Sequence, residues 1–367
     1  MDTDELVEAG LYDPTAPDAA ERLDLLEYLV GRGATIAQMS RADRDGRLPA
    51  LAGDLVLFPR RTERVQEVAE RLGWSREKLA RLHLAMGLPF DEEQGIAPDL
   101  VRAFEIFDVG AALFGEQALL QFARVLGASA ARVAESALSL FLTEVERPTV
   151  GQSQADCARL SRANGTASDA LLLVPEVIAA LLPEHLERAI RRQRADTGAT
   201  GGQRDRRNLT VGFVDLVDFT ARSSHLDPNE LADVLGRFET LAWDSVVRND
   251  GRVVKMIGDE VMYVTVDAGA ACLTALDLAE RVAADPVLPQ LRGGLAAGGL
   301  VRGYGDYYGP VVNTAARAVK LAAPGEVWVT DEVRRRADGA PLAFDALGAY
   351  ALRGFEGDVA LYRVRRA

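Results

Sequence analysis

Cysteine is nearly missing from this chain: two residues in 367, Cys157 and Cys272, far apart and without metal-ligand spacing. That excludes a disulfide framework and a zinc ribbon, and it suits a reducing compartment. Histidine occurs only three times, as His83, His185 and His225. A cationic excess is also lacking, since 42 Lys and Arg stand against 55 Asp and Glu, a formal net charge of -13. Sequence-independent binding to nucleic acid or to an anionic membrane needs a cationic face, so no nucleic acid partner is expected. No uninterrupted run approaches the ~18 apolar residues that cross a bilayer. The opening Met1-Asp-Thr-Asp-Glu-Leu6 is acidic, the wrong sign for a signal peptide. The expectation is a soluble, cytoplasmic protein with no membrane span.

Apolar material is ample, with 48% hydrophobic and 26% charged residues. At ~150 residues per domain the length suggests two or three domains. Over residues 1–185 the pattern is helix after helix. Leu23, Leu26 and Val30 share one face of a helix over 21–30, and Val65, Val68, Ala69 and Leu72 share one face of a helix over 62–72. Thr62 is placed to cap that second helix and Gly73 to stop it; Ser75 is placed to cap a third, over 76–86. Longer patterns cover 100–114 and 118–145. An all-helical N-terminal domain follows.

Residues 186–206 read as a linker helix and hinge. Arg188, Arg191, Arg192, Arg194, Arg204, Arg206 and Arg207 flank the glycine-rich stretch Thr197 to Gly202, and the helix is expected to run to about Ala195 and break there. From 207 to 367 strands and helices alternate. Leu209 to Val214 suits a buried strand. Asp227-Pro228-Asn229-Glu230 is a capping box opening a helix. Strands over 252–257 and 261–266 are joined by a tight hairpin at Gly258-Asp259-Glu260. A helix (268–284), a strand pair (291–297 and 299–304), a helix (310–322) and a strand (326–330) follow. The order βαββαβ matches an α+β ferredoxin-like core with extra strands near its end.

Two carboxylates stand out by position. Asp215 ends the first core strand, in Phe213-Val-Asp215-Leu-Val-Asp-Phe-Thr220, and Asp259 tips the hairpin, in Lys255-Met-Ile-Gly-Asp259. If the first strand lies beside the strand entering the hairpin, the two converge at one sheet edge. Paired oxygen ligands with open positions suit Mg²⁺ or Mn²⁺ with a phosphate ester. Each alone could equally be a strand-end cap and a turn residue. A third segment, Asp306-Tyr-Tyr-Gly-Pro-Val-Val-Asn313-Thr-Ala-Ala-Arg317, enters a helix on which Asn313 and Arg317, four apart, share a face.

These three segments, with Leu291-Arg292-Gly-Gly-Leu295, resemble in order the class III adenylyl cyclase catalytic domain across roughly residues 207–367. The resemblance implies a homodimer with ATP sites at its interface, converting ATP to 3′,5′-cyclic AMP and pyrophosphate. It implies that Asp215, Asp259 and the Leu216 backbone hold two Mg²⁺ or Mn²⁺ ions, and that Lys255 and Asp306 select adenine. It further implies that Asn313 and Arg317 come from the partner subunit to hold the ribose and the transition state. Arg292 would meet the terminal phosphates, with Arg353 a second candidate, and Phe213 and Thr220 would contribute to substrate binding. One departure is Asp218, where most members of the family carry glycine. Glu260, following Asp259, is expected to point to the opposite face as a bystander.

The helical half resembles the regulatory domain found ahead of some bacterial cyclases, including acid-activated ones; His185 is the histidine nearest the junction. Two other classes remain as alternatives. One is a catalytically silent, nucleotide-binding dimerisation module. The other is a helix-turn-helix DNA reader over 62–89, with Arg76, Lys78 and Arg81 on its second helix.

Overall fold

The computed structural model describes residues 3–58, 62–146, 154–200, 206–303, 305–353 and 357–367. The chain divides into two compact units, Met1–Glu184 and His185–Ala367.

The first unit is helical: α1 (Thr3–Glu8), α2 (Ala19–Gly31), α3 (Ile36–Arg44), α4 (Leu51–Leu57), α5 (Val65–Leu72), α6 (Arg76–Ala85), α7 (Pro98–Phe114), α8 (Glu116–Phe141), α9 (Gln154–Leu171) and the start of α10 (Val174–Thr200). Two apolar clusters hold it, one around Leu26, Leu29, Met39 and Ala52, the other around Val68, Leu79, Ile96 and Phe104. Ser75 caps α6, accepting from the Lys78 amide at 3.2 Å. Thr62, by contrast, is not a cap: α5 begins after Arg64, because Glu63 pairs its backbone with Ile96. His83 is buried against Phe90 and Phe104 with no partner for its Nδ1, and burial lowers its pKa. His185 is exposed.

The basic residues of α6 do not form a free cationic face. Arg76 pairs with Glu92 at 3.2 Å, Lys78 with Asp108 at 2.8 Å and Arg81 with Glu116 at 2.7 Å. A recognition helix spends such side chains on phosphates and bases; here acids of the same unit neutralise them.

The expected end of the linker helix needs correction. α10 starts nine residues before Pro183 and continues through it to Thr200, past Ala195 and Gly198; 201–205, where Gly201, Gly202 and the rest of the expected hinge fall, lie outside the described residues. Pro183, inside the helix, removes one backbone hydrogen bond without ending it. In addition, the helical spans Glu116–Val145 and Asp156–Arg194 are long and apolar enough to cross a membrane by length and composition, with 0% and 11% of their apolar windows buried. Scattered polar residues hide them from a search for uninterrupted runs.

The second unit follows as β1 (Arg206–Leu216), α11 (Phe219–Ser223), α12 (Pro228–Arg248), β2 (Arg252–Ile257), β3 (Glu260–Thr265), α13 (Ala268–Ala284), β4 (Leu291–Gly303), β5 (Asp306–Tyr308), α14 (Pro310–Leu321), β6 (Val327–Thr330), α15 (Asp331–Arg336), β7 (Leu342–Ala351) and β8 (Asp358–Arg366). The strands form one mixed sheet ordered β2-β3-β1-β4-β6-β8-β7, with β5 paired to β4. One face packs on α12 and α13 through Phe238, Ala242, Ala275 and Leu278, and the other carries α14 over Phe213, Met262 and Ala296. The capping box at Asp227 and Glu230 forms as expected.

Residues 291–303 are one strand rather than a strand pair. The break expected at Gly298 does not form: Gly298 and Gly299 stay in register with β1, opposite Leu209 and Asn208. Inter-strand pairing overrides the local turn signal.

Candidate active site

β1 lies between β3 and β4, antiparallel to both. It therefore neighbours the strand leaving the hairpin, and β2 is the outer edge, the reverse of the expected neighbour. The carboxylates still meet, because the register places Asp215 opposite Glu260 on one side and opposite Arg292 on the other. Directly opposed residues project to the same face, so Glu260, Asp215 and Arg292 form a row across three strands. Glu260 is thus no bystander. Asp259 sits in the two-residue turn, not on the strand, and alternation restarts at Glu260.

Gly258 takes the left-handed position of that turn at φ 62°, which only a residue without a Cβ adopts freely. The turn is tied to the end of β1 by the Leu216 amide, which donates to the Asp259 carbonyl at 3.1 Å. Asp215 is 3% exposed. Its Oδ2 accepts from Arg292 Nη2 at 2.9 Å and from Lys320 Nζ at 2.7 Å. Lys320 also reaches Glu260 Oε2 at 3.1 Å. Burial pushes the Asp259 carboxyl upward; its own backbone amide opposes this, and repulsion by Asp215 adds to the rise. Burial works against the Lys320 charge, but its hydrogen bonds to Asp215 and Glu260 outweigh it and leave the ammonium pKa above its ordinary value.

This donor set suits a hard divalent cation. Two carboxylates crowd each other and favour a shared positive charge, and both are oxygen donors. Among the described residues no group of three or more His, Cys, Asp or Glu is placed to hold a metal; substrate oxygens and water would complete the shell of an ion bound to this pair. Lys320 was missed in the sequence. The signal was there: it lies three residues after Arg317 and seven after Asn313, on the same face of α14.

α14 rests on the sheet with no room to spare. A Cβ on Gly294 of β4 would lie 2.1 Å from the Val319 amide nitrogen and 2.6 Å from the Ala315 carbonyl oxygen. Gly294 is the second glycine of the Leu291-Arg292-Gly-Gly stretch, so this motif sets how closely the helix bearing Asn313, Arg317 and Lys320 approaches Asp215. Gly294→Val should lower stability by about 1–3 kcal/mol or more through overpacking, read as a lower denaturation midpoint together with reduced turnover.

Lys255 on β2 and Asp306 at the start of β5 are joined by an ion pair of 2.6 Å. Asn313 is exposed and Arg317 half-buried. Phe213 is 4% exposed and packs beneath α14 in the core, so its side chain does not face the carboxylate row. Thr220 lies in α11, its side chain outside the described residues. Arg353 is exposed where β7 ends and, among the described residues, makes no contact with the Asp215 cluster. Asp218 caps α11 at φ 56°, in the left-handed region. That conformation gives the family's glycine preference a backbone reason, and Asp is among the few side chains that tolerate it.

A carboxylate pair beside an Arg–Lys cluster, on a sheet that also carries a Lys–Asp ion pair, has the chemistry to hold a divalent cation and a phosphate. Residues 203–366 match the adenylate and guanylate cyclase catalytic domain, and residues 1–190 match the adenylate cyclase regulatory domain. The chain belongs to the adenylate cyclase family. A protein of Mycobacterium tuberculosis named a pH-sensitive adenylate cyclase is 32% identical over 368 residues, spanning 95% of this chain and 88% of the relative. An adenylate cyclase of Streptomyces coelicolor is 34% identical over 286 residues, 75% of this chain and 71% of the relative. Among solved structures, an adenylyl cyclase from P. aeruginosa aligns at 23% identity with TM-score 0.41, covering 44% of this chain and 95% of that one.

Proposed function

We propose that the chain is an adenylate cyclase that converts ATP to cyclic AMP and pyrophosphate in the cytoplasm, working as a homodimer under control of its helical half. The observation that carries this reading is the Asp215–Asp259 pair with Arg292 and Lys320 around it, in a chain that matches both cyclase domains. The sheet order β2-β3-β1-β4 supports a ferredoxin-like core. Two Mg²⁺ or Mn²⁺ ions, when bound by Asp215, Asp259 and the Leu216 backbone, would acidify the ribose 3′-hydroxyl and screen the triphosphate.

The remaining roles belong to side chains. Lys255 donates to adenine N1 while Asp306 accepts from the N6 amine; guanine presents the reverse pattern, so the pair selects ATP. Arg292 turns from Asp215 to the terminal phosphates. Asn313 orients the ribose, and Arg317 of the partner subunit neutralises charge growing on the α-phosphoryl oxygens, a task suited to a planar, permanently charged group. Asn313 stays exposed on its own chain, which supports this cross-subunit use. The apolar side chains exposed on the helical half, among them Val109, Leu113, Phe122, Leu181 and Leu182, are of the kind that interfaces cover. Incubating the purified chain with MnATP and measuring cyclic AMP tests the activity directly; GTP turned over in preference to ATP would overturn the substrate assignment.

Lys320 already satisfies Asp215 with a positive charge, and a divalent ion must compete with it. Lys320→Met should therefore lower the half-saturating Mn²⁺ concentration by about three- to tenfold, the equivalent of ~1 kcal/mol for a partly exposed pair. An unchanged metal requirement would show that Lys320 does not compete there.

Control by pH is part of the proposal. The pH-sensitive relative named above shares both halves with this chain. The buried His83, its pKa held down, gains a proton at the expense of its unit's packing as pH falls below the ordinary histidine range. The full chain and residues 204–367 alone, assayed from about pH 5.5 to 8 around that value, should give profiles of different shape, the full chain being the more steeply pH-dependent. Profiles that superimpose after scaling would leave the helical half without a role in the pH response.

A further inference from the structure

At the far end of the catalytic sheet from the metal carboxylates, three guanidinium groups converge on one small pocket. Arg252 opens β2, Arg302 lies near the end of β4, and Arg192 comes from the last turns of α10; Tyr307 of β5 completes the wall. β2 alone separates Arg252 from the hairpin by roughly 17 Å at the usual rise per residue, so this is not the nucleotide site.

The electrostatics of the pocket are unbalanced. Arg252 is largely withdrawn from solvent, and desolvation is the main reason its pKa is lowered. Repulsion from Arg302 and Arg192 adds to this, with only Tyr307 and the already paired Asp306 pulling the other way. Its guanidinium donates to the Gly305 carbonyl at 2.9 Å and lies over the Tyr307 ring at 5.1 Å, but its Nε is buried with no acceptor. A buried donor without a partner is costly. Among the described residues neither Arg192 nor Arg302 has a carboxylate within ion-pair distance. On its other side Arg192 lines a larger cleft with Arg191 and Arg248. There Glu187 and Asp244 pair those two arginines at 2.6 and 3.5 Å, and Arg188 and Asp250 also line that cleft. In a chain of net charge -13, such a cluster is unlike its surroundings.

We propose that this pocket binds a small tetrahedral oxyanion of the phosphate class, held between Arg192, Arg252 and Arg302. The pocket volume, about 60 Å³, has room for a few waters or one such ion and not for a nucleotide. Guanidinium forks are the group of choice for phosphate, each offering two parallel donors, and the orphaned Arg252 Nε gains its acceptor. Because Arg192 belongs to α10 and the other two to the sheet, the ion also fastens the end of that helix to the catalytic sheet. This inference stands apart from the cyclase assignment and from the residues of the Asp215 site.

The test is calorimetric titration of the full chain with inorganic phosphate, and with sulfate as a second probe. Wild type should take up one ion per chain saturably, and hydrogen exchange across 188–194 should slow on binding. Arg192→Gln and Arg302→Gln should each weaken binding by at least about tenfold, the usual scale for a lost charge-assisted contact. Arg292→Gln, which alters the Asp215 site, should leave it unchanged. Without phosphate, Arg192→Gln and Arg302→Gln should unfold at temperatures no lower than wild type, since removing one cation relieves repulsion. The proposal is overturned by an absence of saturable uptake, by uptake lost only in Arg292→Gln, or by variants that bind normally. A lower unfolding temperature for both variants in phosphate-free buffer would also overturn it, showing that the arginines are structural ties.

Discussion

Asp259→Ala and Asp215→Ala should each abolish cyclase turnover while the protein stays folded. Each removes a carboxylate that the proposal places on both ions, and such a loss is on the order of several kcal/mol of transition-state stabilisation, a drop of a thousandfold or more. The fold should behave differently in the two. Asp259 lies in a turn, and its loss relieves repulsion with Asp215, so Asp259→Ala should unfold no earlier than wild type. Asp215 is buried beneath Arg292 and Lys320. Removing it leaves two cations facing each other, and some loss of stability is expected. Measurement of Mn²⁺- and Mg²⁺-dependent cyclic AMP formation decides the matter; appreciable activity in Asp259→Ala would remove it from the metal site.

Mixing two dead variants should restore activity. If each site takes its carboxylates from one subunit and Asn313 and Arg317 from the other, an Asp215→Ala chain and an Arg317→Ala chain can form a heterodimer. One of its two sites then has both carboxylates and the arginine intact. Random pairing makes half the dimers hetero, each with one site of two working, so recovery should approach about a quarter of wild-type turnover for symmetric C₂ association. No recovery, with heterodimers shown to form, would mean that Arg317 serves its own chain. Lys320 sharpens the experiment. It sits on the same helix as Arg317 yet contacts Asp215 of its own chain, so one helix would serve two sites, Asn313 and Arg317 reaching the partner's and Lys320 its own.

Much of the catalytic unit was legible in the sequence because its signals are local. The capping box at Asp227, the tight hairpin at Gly258-Asp259 and the helix from Pro310 are each fixed by the backbone preferences of a few adjacent residues, and the structure has all three, the hairpin with Glu260 on the strand rather than in the turn. The carboxylates, the Lys255–Asp306 pair and the Asn313–Arg317 face were found because they stand in a recognisable order along the chain. The first half was legible as helical for the same reason, since a 3.6-residue apolar period needs no knowledge of neighbours.

The rest was decided by partners distant in sequence. Whether the chain breaks at Gly298 or stays extended depends on the nine other residues of β1 in register with β4. Whether Glu260 faces Asp215 depends on which strand of the hairpin is the inner one. Lys320 and Glu260 are ordinary surface residues by type; the packing of α14, set by Gly294, brings Lys320 to Asp215, and the β1–β3 register brings Glu260 there. Phe213 looked like a site residue by its place in the motif, but the tertiary fold puts its ring in the core under that helix. The arginine pocket joins residues 192, 252 and 302; nothing in the local sequence links them. Periodicity and turn chemistry act over a few residues and are written in the sequence. Register, strand order and the meeting of charges are settled only when the sheet closes, because each depends on which backbone groups remain for a distant strand to bond.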